Sequence, residues 1–316
     1  MKKNLKVLLL ALLFLISCAK TSSSDNNPTV TPNSKNSSGI YYMSYQQLNR
    51  FVPGALPEKL SDISSQSTAL LGSNGNFFTD FEVLSLGKGF QINLRQQSEA
   101  GIQNARTITL NDTNYFIRGP VQPSSDGGLL IIPISATSGD GLSPRNNGFN
   151  VVGGLSRIFY SHADAVDPVW ISDTEIVSGN KDELQRHNIE ITHSSTRLGP
   201  FGLGAPGADV RQLAVSPNHQ RIAFIQNDAI YAINVDGTGL QQLTLSSPGL
   251  NWPAWSPDGN QIIVVTTQCP ELGSGVPNPE IIVISSMIGS QNAATAQRLV
   301  QSNGTPFRAC GPLYWK

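Results

Sequence analysis

Along Gly249–Val265, GLNWPAWSPDGNQIIVV, a short apolar run stops at a polar turn and an alternating apolar run, Ile262 to Val265, follows it. Proline at the second turn position pre-sets φ, and Gly259 can take the positive φ that closes a hairpin. The pattern therefore predicts two antiparallel strands joined by a Ser-Pro-Asp-Gly turn.

The pattern recurs. Leu213–Phe224 reads LAVSPNHQRIAF, with Ser216 and Pro217 in the turn. Val169–Val177 reads VWISDTEIV, with Asp173 in the turn place of Asp258. Pro120–Ile132 reads PVQPSSDGGLLII, with Asp126 and Gly127 in the turn. A fainter copy lies at Val83–Ile92, VLSLGKGFQI, and a truncated one closes the sequence at Gly311–Lys316, GPLYWK. The residue before the turn serine, or its equivalent, is Leu84, Pro123, Trp170, Val215, Trp255 and Tyr314. These anchors are spaced by 39, 47, 45, 40 and 59 residues. That period is the length of a propeller blade.

The clearest unit continues in a fixed order. The Arg221–Gln226 run is followed by Asn227-Asp228, then AIYAINV at Ala229–Val235, a DGTG turn, and LQQLT at Leu240–Thr244. With the anchor strand this makes four antiparallel strands in about forty residues. The strings RIAFIQNDAIYAINVDGTGLQQLT and WPAWSPDGNQIIVV resemble the WD40-like repeats of TolB-type propellers, most closely from Leu213 to Val265. The resemblance implies a non-catalytic platform that binds a protein or peptide. TolB-type proteins carry a separate α/β domain before the propeller, for which this sequence leaves no room, so their role in the Tol–Pal envelope system does not carry over.

No amphipathic helix of four turns is visible, and 29 glycines with 20 prolines suit many tight turns. The fold expected is all-β: a six-bladed β-propeller of four-stranded antiparallel blades over residues 40–316. The last anchor strand has no chain left to finish its blade. Its missing strands are expected from Ile40 to about Phe78, which would close the ring with both chain ends in one blade and remove exposed sheet edges.

The first 17 residues are read as a signal peptide rather than fold. Lys2, Lys3 and Lys6 precede an apolar run of ten, Val7–Ile16, too short for the roughly 20 residues that span a bilayer. Leu15-Ile16-Ser17-Cys18 resembles the lipobox of bacterial lipoproteins, which implies acylation of Cys18 and a membrane anchor. Ala19 after the cysteine, by the same resemblance, points to the outer membrane. Residues 18–39 are the lipidated cysteine and a Ser/Thr/Asn/Pro tether, too poor in apolar residues to offset its ordering entropy.

With 14% charged residues, a net charge of −1 and a pI near 6.4, the chain has no basic surface for nucleic acid. Setting Cys18 aside, Cys269 and Cys310 are expected to form a disulfide in an exported chain, the alternative being two buried thiols. Cys269 opens a Pro- and Gly-rich insertion, CPELGSGVPNPE, which accounts for the 59-residue spacing.

Asp126, Asp173 and Asp258 occupy equivalent turns. An Asp in such a turn bonds its own backbone, so they and Gly259 are assigned structural turn roles and no metal site is expected. His162, His187, His193 and His219 are scattered, and only His187 and His193 share strand parity. Gly202–Gly207 matches G-x-G-x-x-G, but its prolines and all-β setting argue against a dinucleotide loop. No catalytic residue, cofactor or specific binding residue is assigned. Trp170, Trp255 and Tyr314 are expected to pack between blades.

The reading is an envelope lipoprotein with a protein- or peptide-binding propeller. The alternatives are a propeller enzyme of lactonase or polysaccharide lyase type with a metal in the central channel, and a purely structural surface protein. The apolar inner strands LAV, PAW, PVW and PLYW favour the binding platform.

Overall fold

A computed structural model describes residues 38–44, 47–62, 72–73, 76–84, 89–98, 101–111, 115–137, 144–153, 158–163, 165–180, 183–191, 195–198, 210–267 and 279–316. These form six small antiparallel sheets arranged as the blades of a propeller. The closing blade orders β25 (Leu313–Trp315), β1 (Ile40–Ser44), β2 (Gln47–Phe51) and β3 (Glu58–Asp62) from the axis outward. The second holds β4 (Gly72–Ser73), β5 (Phe77–Val83), β6 (Phe90–Ser98) and β7 (Gly101–Leu110). In the third, β8 (Tyr115–Ile117) and β9 (Gln122–Pro123) share the inner position against β10 (Leu130–Thr137), followed by β11 (Pro144–Val152) and β12 (Ile158–Ala163).

The last three blades are regular. The fourth is β13 (Val166–Trp170), β14 (Glu175–Asn180), β15 (Glu183–Asn188) and β16 (Ser195–Arg197). The fifth is β17 (Arg211–Val215), β18 (Arg221–Gln226), β19 (Ala229–Asn234) and β20 (Gln241–Gln242). The sixth is β21 (Asn251–Trp255), β22 (Gln261–Val265), β23 (Ile281–Ser285) and β24 (Gln297–Arg298).

Why the middle strands of the fifth and sixth blades are almost wholly apolar follows from their position. A strand sends alternate side chains to opposite faces, and here both faces meet another blade. On β18, Ile222 and Phe224 pack toward the fourth blade, while Ala223 and Ile225 pack toward the sixth. The core is accordingly six apolar wedges, one in each seam. The smallest lies between the closing and second blades, where the fully described buried members are Tyr41, Met43, Leu48 and Phe78.

Both chain ends meet in the closing blade, as the truncated final repeat requires. Ile40, Tyr41 and Tyr42 pair with Trp315, Tyr314 and Leu313. Behind this ladder Phe51 stacks on Phe307 with ring centroids 3.8 Å apart, and Tyr42 meets Phe307 edge-on. The N-terminal contribution ends at Asp62, earlier than the sequence suggested, because Phe78 already belongs to β5.

The anchor at Leu84 is a correction. Val83 pairs with Phe90, so that hairpin joins the second and third strands of its blade, whereas the other anchors end first strands. The true first strand is the two-residue β4, which carries too few side chains to show a period.

Candidate functional site

The first strands of five blades, with Asn76 beside the second, surround a cavity of about 790 Å³. Each regular first strand does two things in sequence: it bulges where it begins, and it closes a Ser-Asx turn where it ends. The register shifts at Val166/Val169, Arg211/Ala214 and Asn251/Ala254. At each bulge one residue has a left-handed backbone: Asp167 (φ 46°), Gln212 (φ 52°) and Trp252 (φ 51°). Gly311, at the matching place before β25, has φ 92°. A bulge re-aims the strand, and here it stitches neighbouring blades together. The Asp167 carboxylate accepts the Gln212 backbone N–H, and Gln212 Oε1 accepts the Trp252 backbone N–H at 2.8 Å. Burial holds the Asp167 carboxyl above the usual carboxylate range, against the opposing pull of the Gln212 N–H and of Arg118 and Arg211.

At the other end of each strand the turn repeats its chemistry. The Ser256 hydroxyl donates to Asp258 Oδ1, which also accepts the Asn260 N–H at 3.0 Å, and Gly259 has φ 72°. Ser124 donates to Asp126 at 2.7 Å, with the Gly128 N–H on the same oxygen. In the fifth blade Asn218 takes the aspartate's place, accepting from Ser216 at 2.8 Å, with His219 at φ 57°. The serine hydroxyl bonds, the largest influence on each, hold the Asp126 and Asp258 carboxyls below the ordinary range. Asp173 differs: it sits in its turn, but its carboxylate accepts from Ser125 of the neighbouring blade. Since an amide suffices at 218, Asp258→Asn is expected to leave the melting temperature nearly unchanged and Asp258→Ala to lower it, as read by thermal unfolding.

Between the bulges and the turns lies the lining. All four tryptophans of the chain, Trp170, Trp252, Trp255 and Trp315, converge on it, together with Tyr314 and six prolines. Two of these rings also staple blades. Trp170 Nε1 donates to the Gln122 carbonyl at 3.1 Å, and Trp255 Nε1 to the Ala214 carbonyl at 3.0 Å. Asp173 is the one carboxylate side chain among the lining residues, with His219 and Lys316 near the same end. Trp170, Trp255 and Tyr314 were visible in the sequence as anchors. Asp167, Gln212 and Trp252 were not, although each stands three residues before its anchor.

The histidines are sorted differently from the sequence expectation. His193 lies outside the described residues. His187 instead meets His162 across the seam between the third and fourth blades, with ring centroids 4.4 Å apart. Ser178 Oγ lies 2.8 Å from His187 Nε2, and Phe149 packs edge-on against the His187 ring. Among the described residues no three His, Cys, Asp or Glu side chains gather as a metal site. Cys18, Cys269 and the Gly202–Gly207 stretch lie outside the described residues. Cys310 is partly buried just before β25.

No protein-family model matches the chain, and comparison with curated proteins finds no match. Solved structures share its fold. TolB from Acinetobacter baumannii superposes with a TM-score of 0.52 at 12% identity over 81% of this chain, which spans 65% of that protein's length. A protein from Agrobacterium tumefaciens assigned as TolB gives 0.47 at 15% identity, covering 88% of this chain and 98% of that one. A Bacteroides uniformis protein assigned as a 6-phosphogluconolactonase gives 0.48 at 13% identity, covering 83% and 80%.

Proposed function

We propose that the chain is a lipid-anchored envelope protein whose propeller binds a protein segment or peptide in the mouth of its central cavity, without covalent chemistry. One observation carries the reading: every tryptophan of the chain faces that cavity, beside six prolines and a single lining carboxylate. Rigid aromatic and proline surfaces bury an apolar side chain at about 25 cal/mol per Å² with little ordering cost of their own. Ser125, Asp173, His219 and Lys316, toward the turn end, supply polar groups that would orient a bound segment. Acylation of Cys18 would hold the propeller at the membrane, the outer membrane by the residue that follows it, with residues 19–38 as tether. A Cys269–Cys310 disulfide would pin the long insertion of the sixth blade to the strand that closes the ring.

In-cell crosslinking with mass spectrometry is the direct test. Reproducible capture of an envelope protein through the cavity mouth supports the reading. If no protein is captured while calcium or an envelope glycan raises the melting temperature, the propeller-enzyme alternative replaces it. Because all four indoles lie at the site, binding of the captured segment should change the intrinsic tryptophan emission. Trp252→Ala is expected to weaken that binding about tenfold or more, roughly 1.4 kcal/mol, by titration of the purified chain. Cys18→Ala is expected to move the protein from the membrane fraction to the soluble fraction; unchanged sedimentation would remove the anchor from the proposal.

A further inference from the structure

The Ser-Asx turns all open on one face of the ring. Third strands run parallel to first strands, so the third-to-fourth-strand connections open on that same face. Hydrogen bonds fix this: the Ser286 N–H donates to the Asn260 carbonyl, Ile189 N–H to Thr174, and Val235 N–H to Gln220. Among the described residues the four most exposed large apolar side chains are Met287 (69%), Ile288 (61%), Leu56 (59%) and Ile191 (59%). All four lie in third-to-fourth-strand connections, in three different blades.

The polypeptide enters the propeller on this face too. Gly39 and Lys316 exchange backbone hydrogen bonds of 2.8 and 2.9 Å at the turn end of β25. Twenty residues separate Cys18 from Gly39. A flexible segment of that length has a root-mean-square span of about 25 Å. By the anchor reading, a lipid on Cys18 would therefore lie within short reach of the face that carries the apolar tips.

We propose that the turn face rests on a lipid bilayer, with Met287, Ile288, Leu56 and Ile191 inserting at the headgroup level as a reversible monotopic contact. This rests on the lipid-anchor reading of Cys18. Asp126 and Asp258 stand in turns on this face, so the contact favours zwitterionic over anionic headgroups. Ser125, Asp173, His219 and Lys316 of the cavity lining stand toward this face, so a segment reaching them from that side would come along the membrane surface.

Hydrogen exchange of the full lipidated chain, in detergent and in phosphatidylethanolamine vesicles, tests the contact. Amides of Ser286–Ser290 and Gly54–Leu56 should exchange more slowly on vesicles, while those of the opposite-face turn Asn227-Asp228 should not change. Met287→Ser with Ile288→Ser should abolish the slowing at Ser286–Ser290, and raising the phosphatidylglycerol content should diminish it. Slowing on the opposite face, or on neither face, overturns the proposal. To separate it from the anchor reading, a Cys18→Ala chain carrying a hexahistidine in place of residues 1–17 is held on nickel-chelating lipid. Slowing of the same loops there, with no acyl mass on the wild-type chain, keeps the face and discards the lipid. An acylated chain with no slowing does the reverse.

Discussion

Phe307→Ala is expected to destabilise the propeller by about 3–5 kcal/mol, seen as a lower urea midpoint at an unchanged slope. The ring is fully buried, stacks on Phe51 and meets Tyr42 edge-on, so truncation leaves a cavity bounded by residues already packed on all sides. Its position makes the loss matter more than its size. Phe307 precedes the last strand and Phe51 ends the second, so their stack joins the two ends of the chain inside the blade that closes the circle. Against a typical domain stability of about 5–15 kcal/mol, the expected loss lowers the folded-to-unfolded ratio by about two to four orders of magnitude. Met287→Ala, at an exposed site, is expected to move stability by no more than about 0.5 kcal/mol and serves as the control. An equal effect of the two substitutions would show that closure does not depend on the stack.

The second large effect is a loss of stability in mild acid. Burial, reinforced by neighbouring His162, pushes the His187 pKa down from 6.5 to about 3. The folded state therefore keeps this imidazole neutral where the unfolded chain protonates it. Above pH 6.5 the group costs nothing. As pH falls from 6.5 toward 3, the unfolded state binds the extra proton and stability declines, on the order of 5 kcal/mol in all. Below about pH 3 both states are protonated and this contribution to the slope ends. The exposed turn carboxylates Asp126 and Asp258 have depressed values, so their stabilisation is lost lower on the scale, as pH falls through their folded values. The two are separable by His187→Gln, which should flatten unfolding free energy between pH 6.5 and 4 while leaving the acid limb below it. A wild-type slope persisting in the variant would assign the effect elsewhere.

How much of this was legible in the sequence depended on where a turn left a mark. In the third, fifth and sixth blades, serine and Asx recur two residues apart because the first-to-second-strand turn uses the same hydroxyl-to-Asx bond. The residues are dictated by the geometry. In the second blade that mark is missing, and the sequence after Val83 was read in its place although Val83 and Phe90 pair between the second and third strands. In the third blade the turn was legible, but the first strand before it is split between β8 and β9, so no continuous alternation leads up to it. The lining was half visible. Anchor residues follow the strict two-residue alternation, whereas Asp167, Gln212 and Trp252 sit on bulges, where alternation breaks and side chains are re-aimed. The histidine pair was invisible for another reason: His162 and His187 belong to different blades, and parity within one strand carries no information about the strand across a seam.

The place of β1 decides how the propeller would bear load. It is hydrogen-bonded on one side to β25 and on the other to β2, and its first residue follows directly on the Gly39–Lys316 pair. A pull on the backbone at Gly39 along the strand direction acts on the axis of β1. Ladders on both sides are then strained together, in shear, instead of bond by bond as when an edge strand is peeled away. A strand in the interior of its sheet is the mechanically resistant place at which to load the chain.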